Sequence, residues 1–437
     1  MTICNTTQLA LQGFSTRKIE VEFKGGEVTS DAGVMLLREV DRRLGMTERL
    51  SRRLKDSRDP ERCVHSLRSL LRQRIYGMCL GYEDLNDHEA LRHDIGLQTA
   101  VERTDQLASS PTLCRLENRS NREVAWIMHE QLFEQFIGSY KKPPPEIILD
   151  FDTTDDVVHG EQEGRFFHGY YDNYCFLPLY VFCGDQILAA YLRPSNIDAA
   201  RHAWAILSLL VKRLRQVWPG VRIVFRGDSG FCRWRMLRWC DSHGIGYIVG
   251  VAKNSRLNEL AADYVAEVEK RYEESGEKQR LFANLQYGAH TWDRKRRVIL
   301  KAERLDKGNN PRYVVTNLQG EAQHLYEDLY CARGEMENRI KEQQLDLFSD
   351  RTSCTKWWSN QFRLLLSSLA YVLIESIRRL ALKWTDLAQA TCGTIRLKLL
   401  KVGAVIIRNT RCIRFHLSSA YPYKELFVSV ARRFSSA

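Results

Sequence analysis

Apolar positions recur with two different periods, and the change between them divides the chain. Up to about residue 140 they fall mainly at helical spacing, three and four apart. A short strand is predicted at 18–23. After Gly25-Gly26, Ser30 or Asp31 is placed to cap a helix carrying Val34, Leu36 and Leu37. Over 63–80, apolar residues at helical spacing lie among Arg62, Arg68, Arg72 and Arg74, a basic amphipathic helix whose charged face is either solvated or turned to a polyanion. A segment with Arg115, Arg119 and Arg122 leads to a further helix at 124–140, and no helix-turn-helix stands out. Lys141-Lys142-Pro143-Pro144-Pro145 ends this texture, because three prolines cannot continue a helix.

Beyond the prolines the period shortens. Residues 146–154, 175–183 and 187–192 read as strands, and Gly184-Asp185 signals a hairpin between the last two. Helices are predicted at 199–217 and 234–243, with apolar strands at 221–225 and 246–251. This order predicts an α/β protein with a mixed sheet flanked by helices. Residues 255–310 interrupt it with a charged helix (257–274) and basic, strand-like stretches such as 291–304. A strand returns at 311–317, followed by helices at 325–345 and 357–382.

Composition narrows the partners. The chain has 437 residues, 44% of them hydrophobic and 27% charged, which suits two or three ordered globular domains. A net charge of +11 points to a polyanion, most simply nucleic acid. A membrane is the competing polyanion. The most apolar stretch, 362–377, is interrupted by Arg363, Ser367, Ser368 and Glu375 and reads as a buried helix. The start of the chain lacks the pattern of a secretion signal, so a cytoplasmic protein with no membrane partner is expected. The 12 cysteines include no Cys-x-x-Cys, which argues against a zinc ribbon and for reduced thiols. From Arg378 to the end the basic residues face only Asp386 and Glu425, as in a phosphate-contacting surface or a poorly ordered arm.

Three acidic settings could carry chemistry. Asp150 and Asp152 end an apolar strand, and strand alternation puts both on one face. Asp228 ends another. Glu337 lies on a helix whose one face also carries Arg333 and Lys341, with Tyr330 close by. Carboxylates at the C-terminal ends of strands lie where an open sheet presents ligands. A third carboxylate brought there by a helix would complete an oxygen site for hard divalent cations. Two such ions, about 3.5–4 Å apart, can stabilise both the attacking and the leaving oxygen of a phosphoryl displacement. Taken singly, each residue has a plainer reading: an Asp closing a strand is commonly a turn residue, and a Glu on a charged helix is commonly solvated.

The blocks Leu149-Asp150-Phe151-Asp152-Thr153-Thr154, Arg226-Gly227-Asp228-Ser229-Gly230-Phe231 and Tyr330-x-x-Arg333-x-x-x-Glu337-Asn338 resemble those of DDE transposases of bacterial insertion sequences, in particular the insertion-sequence thirteen-eighty group. Further similarity at 81–87, 111–118, 192–196 and 394–398 extends it over most of the chain. The resemblance implies an RNase H-like core in two parts (144–254 and 312–385). Between them it implies a β-rich insertion (255–311), with a helical DNA-binding domain before the core (1–143) and a basic region after it (386–437). It implies metal-dependent cleavage at element ends and strand transfer into target DNA, with Asp152, Asp228 and Glu337 as catalytic metal ligands for two Mg2+ or Mn2+ ions. Double-stranded DNA, of ends and target, is the implied partner, held by a homodimer. Asp150 competes with Asp152 for the first place. Tyr330 and Arg333 are implied to contact DNA phosphate. The family often has Lys seven residues after the Glu, where this chain has Gln344, so Lys341 is the candidate cation. Trp292 is a candidate for stacking on an unpaired base, against plain packing on a sheet. A catalytically inactive DNA-binding relative, or a nuclease that never joins, are the alternatives. Gly227-Asp228-Ser229-Gly230 also mimics a serine-protease block, but Phe231 departs from it.

Overall fold

The sequence Glu146-Ile147-Ile148-Leu149-Asp150-Phe151-Asp152-Thr153 shows how the sheet is made. Ile147, Leu149 and Phe151 point to one face and Ile148, Asp150 and Asp152 to the other, the two-residue period of a strand. In the computed structural model, which describes residues 8–435, this strand sits in a nine-stranded mixed sheet. The order is Gln279–Tyr287, Arg296–Leu305, Arg312–Thr316, Gly246–Val251, Arg222–Gly227, Glu146–Thr153, Leu179–Cys183, Gln186–Tyr191, with Gly308–Asn309 added beside Arg296–Leu305. The strand Arg222–Gly227 runs parallel to both its neighbours and the other pairings are antiparallel. The protein is therefore mixed α/β, as the alternating pattern predicts.

The chain divides into two compact units. One takes Asn121–Leu345 and Ser349–Ser368, and contains the sheet. On the face of Leu149 and Phe151, Ile223, Phe225 and Val249 join a core with Leu207 and Leu214 of the helix Ala203–Val217, Leu237 of Trp234–Ser242 and Phe136 of Arg122–Gly138. Phe151 meets Phe225 edge-on, with ring centroids 5.1 Å apart. On the other face Val224, Ile248, Ile299 and Val314 pack under Ala322, Leu325 and Tyr326 of a long helical run. The segment expected as a β-rich insertion holds a helix of 21 residues, Ser255–Ser275, capped by Asn254, and strands that continue the same sheet. Trp292 packs there, edge-on to Tyr287 at 5.4 Å, which is the packing alternative rather than an open stacking position.

The other unit takes the residues up to Ser120, Asp346–Phe348 and the chain from Leu369 onward. Here three expectations need correction. Ser30 and Asp31 do not cap the helix Val34–Leu44 through their side chains. Asp31 is buried and pairs with Lys401 at 2.7 Å, and it accepts from Tyr82 Oη at 2.7 Å. The arginines of the helix Leu67–Leu80 do not form one solvated or polyanion-facing stripe either. Arg72 and Arg74 are buried. Arg72 pairs with Asp41 (3.2 Å) and Glu102 (2.7 Å), and Arg74 with Glu117 (3.1 Å). Charge spaced like a surface face is spent on internal ion pairs, because Asp41 and Glu117 come from other helices. Finally, the basic tail is not an unstructured arm. Ala404–Arg408 pairs with Ile413–Leu417 and with Glu27–Thr29, and the helix Lys424–Ser435 follows. No helix among the described residues is long and apolar enough to cross a membrane.

Candidate active site

Two adjacent parallel strands bring the first two acids to one side of the sheet. Arg226 lies in register with Asp150, and Asp228 follows directly at the end of its strand. Asp150 is consumed by this pairing. It is buried, and Arg226 binds it through two nitrogens, Nη2 at 2.7 Å from Oδ2. Arg226 also donates to the carbonyl of Leu329, tying the strand to the helical run above it. Burial raises the Asp150 carboxyl while Arg226 pulls the other way. The two acids thus have different counter-ions: Asp150 is held by Arg226 within the sheet, and Asp152 by Arg333 from the third block.

That block lies on an irregular helical run over 322–346. It passes from α to π geometry at Leu325–Tyr330, to 3₁₀ at Cys331–Arg333, back to α at Gly334–Lys341 and again to π at Glu342–Asp346. Changes of pitch of this kind re-aim side chains and gather at functional sites. Here they aim Arg333 at the sheet. Its Nη1 donates to Asp152 Oδ2 at 2.8 Å and its Nη2 to Glu337 Oε1 at 2.7 Å. The other Asp152 oxygen accepts from Thr153 N at 2.9 Å. Asp228 is half-buried, and its Oδ1 accepts from Gly230 N at 2.9 Å. Burial raises the Tyr330 phenol, opposed by Arg333 and reinforced by Asp228, so Tyr330 also belongs to this neighbourhood. Lys341 is exposed one turn beyond Glu337.

Burial pushes the Asp152 carboxyl up to about 6 from an ordinary 3.8. Arg333 opposes the rise, and the charges of Asp228 and Glu337 add to it. Between these two values the folded chain keeps a proton that the unfolded chain has lost. Asp152 is therefore expected to make stability in the absence of divalent ions fall as pH rises from about 4 to about 6, by up to ~3 kcal/mol, and Asp152→Asn should lessen the slope that Asp150 and Asp156 also feed. Urea unfolding across that range measures it, and an unchanged slope in the variant would refute the assignment.

The donor set suits a hard divalent ion in kind, three carboxylates and no softer ligand. Among the described residues, however, no three His, Cys, Asp or Glu side chains are grouped closely enough to hold one ion as they stand. Arg333 spans Asp152 and Glu337 and supplies the positive charge that such a cation would otherwise supply.

Three contributors were missed by reading the sequence for acids. Gln344, where a Lys was expected, donates to Thr154 Oγ1 (3.3 Å), the Asp155 carbonyl (3.1 Å) and Asp156 Oδ1 (3.2 Å). It thereby fixes the chain just past Asp152, beside a fully buried Asp156 whose carboxyl burial pushes well up. Arg226 was quoted in its block but not recognised as the counter-ion of Asp150. Gly250 makes room for Tyr330, since a Cβ there would lie 2.6 Å from the Tyr330 hydroxyl. A glycine inside an apolar strand is the signal that could have flagged such an approach.

A mixed sheet carrying acids at the ends of neighbouring parallel strands, under a helix bearing a third, defines a candidate phosphoryl-transfer protein. The family model described as Transposase DDE domain, group 1, matches residues 11–437, and the chain belongs to this family. DDE transposases are in general dependent on divalent metal ions. A search of curated proteins finds no match. Among solved structures, the cryo-EM structure of the piggyBac transposase synaptic complex with hairpin DNA is similar over 94% of this chain and 82% of that one, at 10% identity and a TM-score of 0.42.

Proposed function

We propose that the chain is the transposase of a bacterial insertion sequence of the thirteen-eighty group, cutting DNA at the element ends and joining them to target DNA. What supports this reading is the family match, together with Asp152 and Asp228 at the ends of neighbouring parallel strands and the Arg333 bridge from Asp152 to Glu337. Asp152, Asp228 and Glu337 would hold two Mg2+ or Mn2+ ions. When bound, these supply a polarised nucleophile and stabilise the leaving oxygen. Arg333, Tyr330 and Lys341 orient DNA phosphate. In this structure Arg333 meets Asp152 through Nη1 and Glu337 through Nη2, two of its five N–H donors. The core is read as RNase H-like, in two parts at 144–254 and 312–385. Residues 1–143 are read as the DNA-binding domain, and two copies as holding the two ends. The basic charge of the chain supports the DNA partner.

The test is a cleavage and strand-transfer assay on DNA carrying the element ends, with and without Mg2+ or Mn2+. Metal-dependent cutting and joining is expected. Cutting without joining of pre-cleaved ends would make the protein a nuclease, and binding without cutting would make it an inactive relative.

A further inference from the structure

Residues 165–174 hold aromatic rings out into water. The strand Phe166–His168 pairs with Asn173–Phe176, which pairs with Asp156–Val157. Phe166 is 42% exposed, Phe167 51%, Tyr174 49% and Tyr170 85%. The rings already pair edge-on or tilted: Phe167 with Tyr174 at 5.6 Å, Tyr170 with Tyr171 at 5.0 Å, His168 with Tyr171 at 4.9 Å. The Arg165 guanidinium lies over Tyr174 at 4.7 Å. The hairpin is braced: Asp172 N donates to the His168 carbonyl, Val158 N to that of Tyr174 and Ser195 Oγ to that of Phe166, each at 2.8 Å. It adjoins the chain just past Asp152, because Asn173–Phe176 pairs with Asp156–Val157, and burial, then the charges of Asp155 and Asp152, push the Tyr171 phenol up to about 12.

The chemistry of the patch selects its occupant. Exposed apolar side chains gathered on one hairpin mark a binding surface. The segment Arg165-Phe166-Phe167-His168-Gly169-Tyr170-Tyr171-Asp172-Asn173-Tyr174 contains no aliphatic side chain. The N-terminal hairpin differs, exposing Leu9, Leu11, Ile19 and Val21, the mixture that suits a protein surface. Nor is the patch strongly cationic. Arg165 is paired with Glu161 at 2.5 Å, and Glu163 accepts from Trp357 N at 3.0 Å. Rings without net positive charge suit flat π-faces better than a phosphate backbone, and a duplex hides those faces. We propose that this hairpin is a stacking platform for unpaired nucleobases beside the strand end at Asp152, with Tyr170 and Phe167 offering the outermost rings. The proposal rests on the reading that the chain acts on DNA.

The full-length protein is titrated by fluorescence anisotropy with three probes: an oligothymidylate of about 15 nucleotides, its abasic counterpart of equal length, and a blunt duplex. The oligothymidylate is expected to bind at least ~10-fold tighter than the abasic strand. Tyr170→Ala should shrink that gap and Tyr170→Ala with Phe167→Ala erase it, leaving duplex affinity within about twofold, whereas Tyr170→Phe should keep it. Tyr170 is mostly solvated, so its loss spares the fold. No gap in the wild type, or a gap that survives the double variant, overturns the proposal. A change of oligomeric state in Tyr170→Ala with the gap intact assigns the patch to a contact between copies and also overturns it. Duplex binding without the gap defeats the platform alone; failure to bind any probe defeats the DNA reading with it.

Discussion

Asp228→Asn is expected to lower metal-dependent cleavage of end-containing DNA at least about a thousandfold while leaving DNA affinity within a few fold. Asp228 closes the strand Arg222–Gly227, and its Oδ1 accepts from Gly230 N. An Asn side-chain oxygen can accept the same bond, so the turn is retained and the negative charge is what is lost. A proposed metal ligand contributes several kcal/mol of charge stabilisation when the phosphodiester reacts, and that sets the factor. Gel-based cleavage under single-turnover conditions, paired with a binding titration, separates the two effects. Cleavage within tenfold of the wild type would remove Asp228 from the site. Asp150→Asn is the instructive contrast. It leaves the buried Arg226 without its carboxylate, so its loss should be read first in stability.

Arg74→Met is expected to destabilise the protein by ~3–5 kcal/mol, and Arg74→Met with Glu117→Met to recover most of that loss. Arg74 is fully buried, its Nε donates to Glu117 Oε1 at 3.1 Å, and its Nη1 lies 3.1 Å from His88 Nε2. Burial and the Arg74 charge hold His88 well below its ordinary pKa, so His88 is neutral and does not share the balancing of charge. Removing the guanidinium alone takes from the buried Glu117 carboxylate the cation that bonds its Oε1. Removing both ends replaces an ion pair by apolar packing. Urea unfolding of the single and double variants gives the coupling. If the double variant is no more stable than the single one, Arg74 acts through shape and not through charge.

The pattern of apolar residues disclosed most of the sheet. Gly246–Val251 matches its predicted span, and the hairpin at Gly184-Asp185 joins Leu179–Cys183 to Gln186–Tyr191. These segments have clean alternation or dense β-branched content, so local chemistry and tertiary position agree. The predicted strand at 175–183 is instead two, Asn173–Phe176 and Leu179–Cys183, parted around Pro178, whose missing N–H cannot serve a ladder. The strand Gln279–Tyr287 was not named, although Leu281, Ala283, Leu285 and Tyr287 alternate with polar Arg280, Asn284 and Gln286. The candidate site was legible as three acids in order, but not as a set of contacts. That Asp150 belongs to Arg226 and Asp152 to Arg333 depends on register between distant segments, which no local spacing records. The buried arginines of Leu67–Leu80 failed for the same reason: periodicity locates a charge on a helix and is silent about what lies opposite.

The pairing of Glu27–Thr29 with Ala404–Arg408 has a consequence for how the chain is made. Ala32 N donates to the Val402 carbonyl at 2.9 Å, and Arg408 reaches Glu27 across 381 residues of sequence. At ordinary translation rates of about 5–20 residues per second, the first of these segments waits roughly 20–80 s on the ribosome for its partner. The sheet from Glu146 to Thr316 has its whole sequence available much sooner. The unit begun first is therefore the last to close. A product terminated before Lys401 would leave Asp31 without its counter-ion and Glu27–Thr29 without a ladder, however complete the acids at 152, 228 and 337.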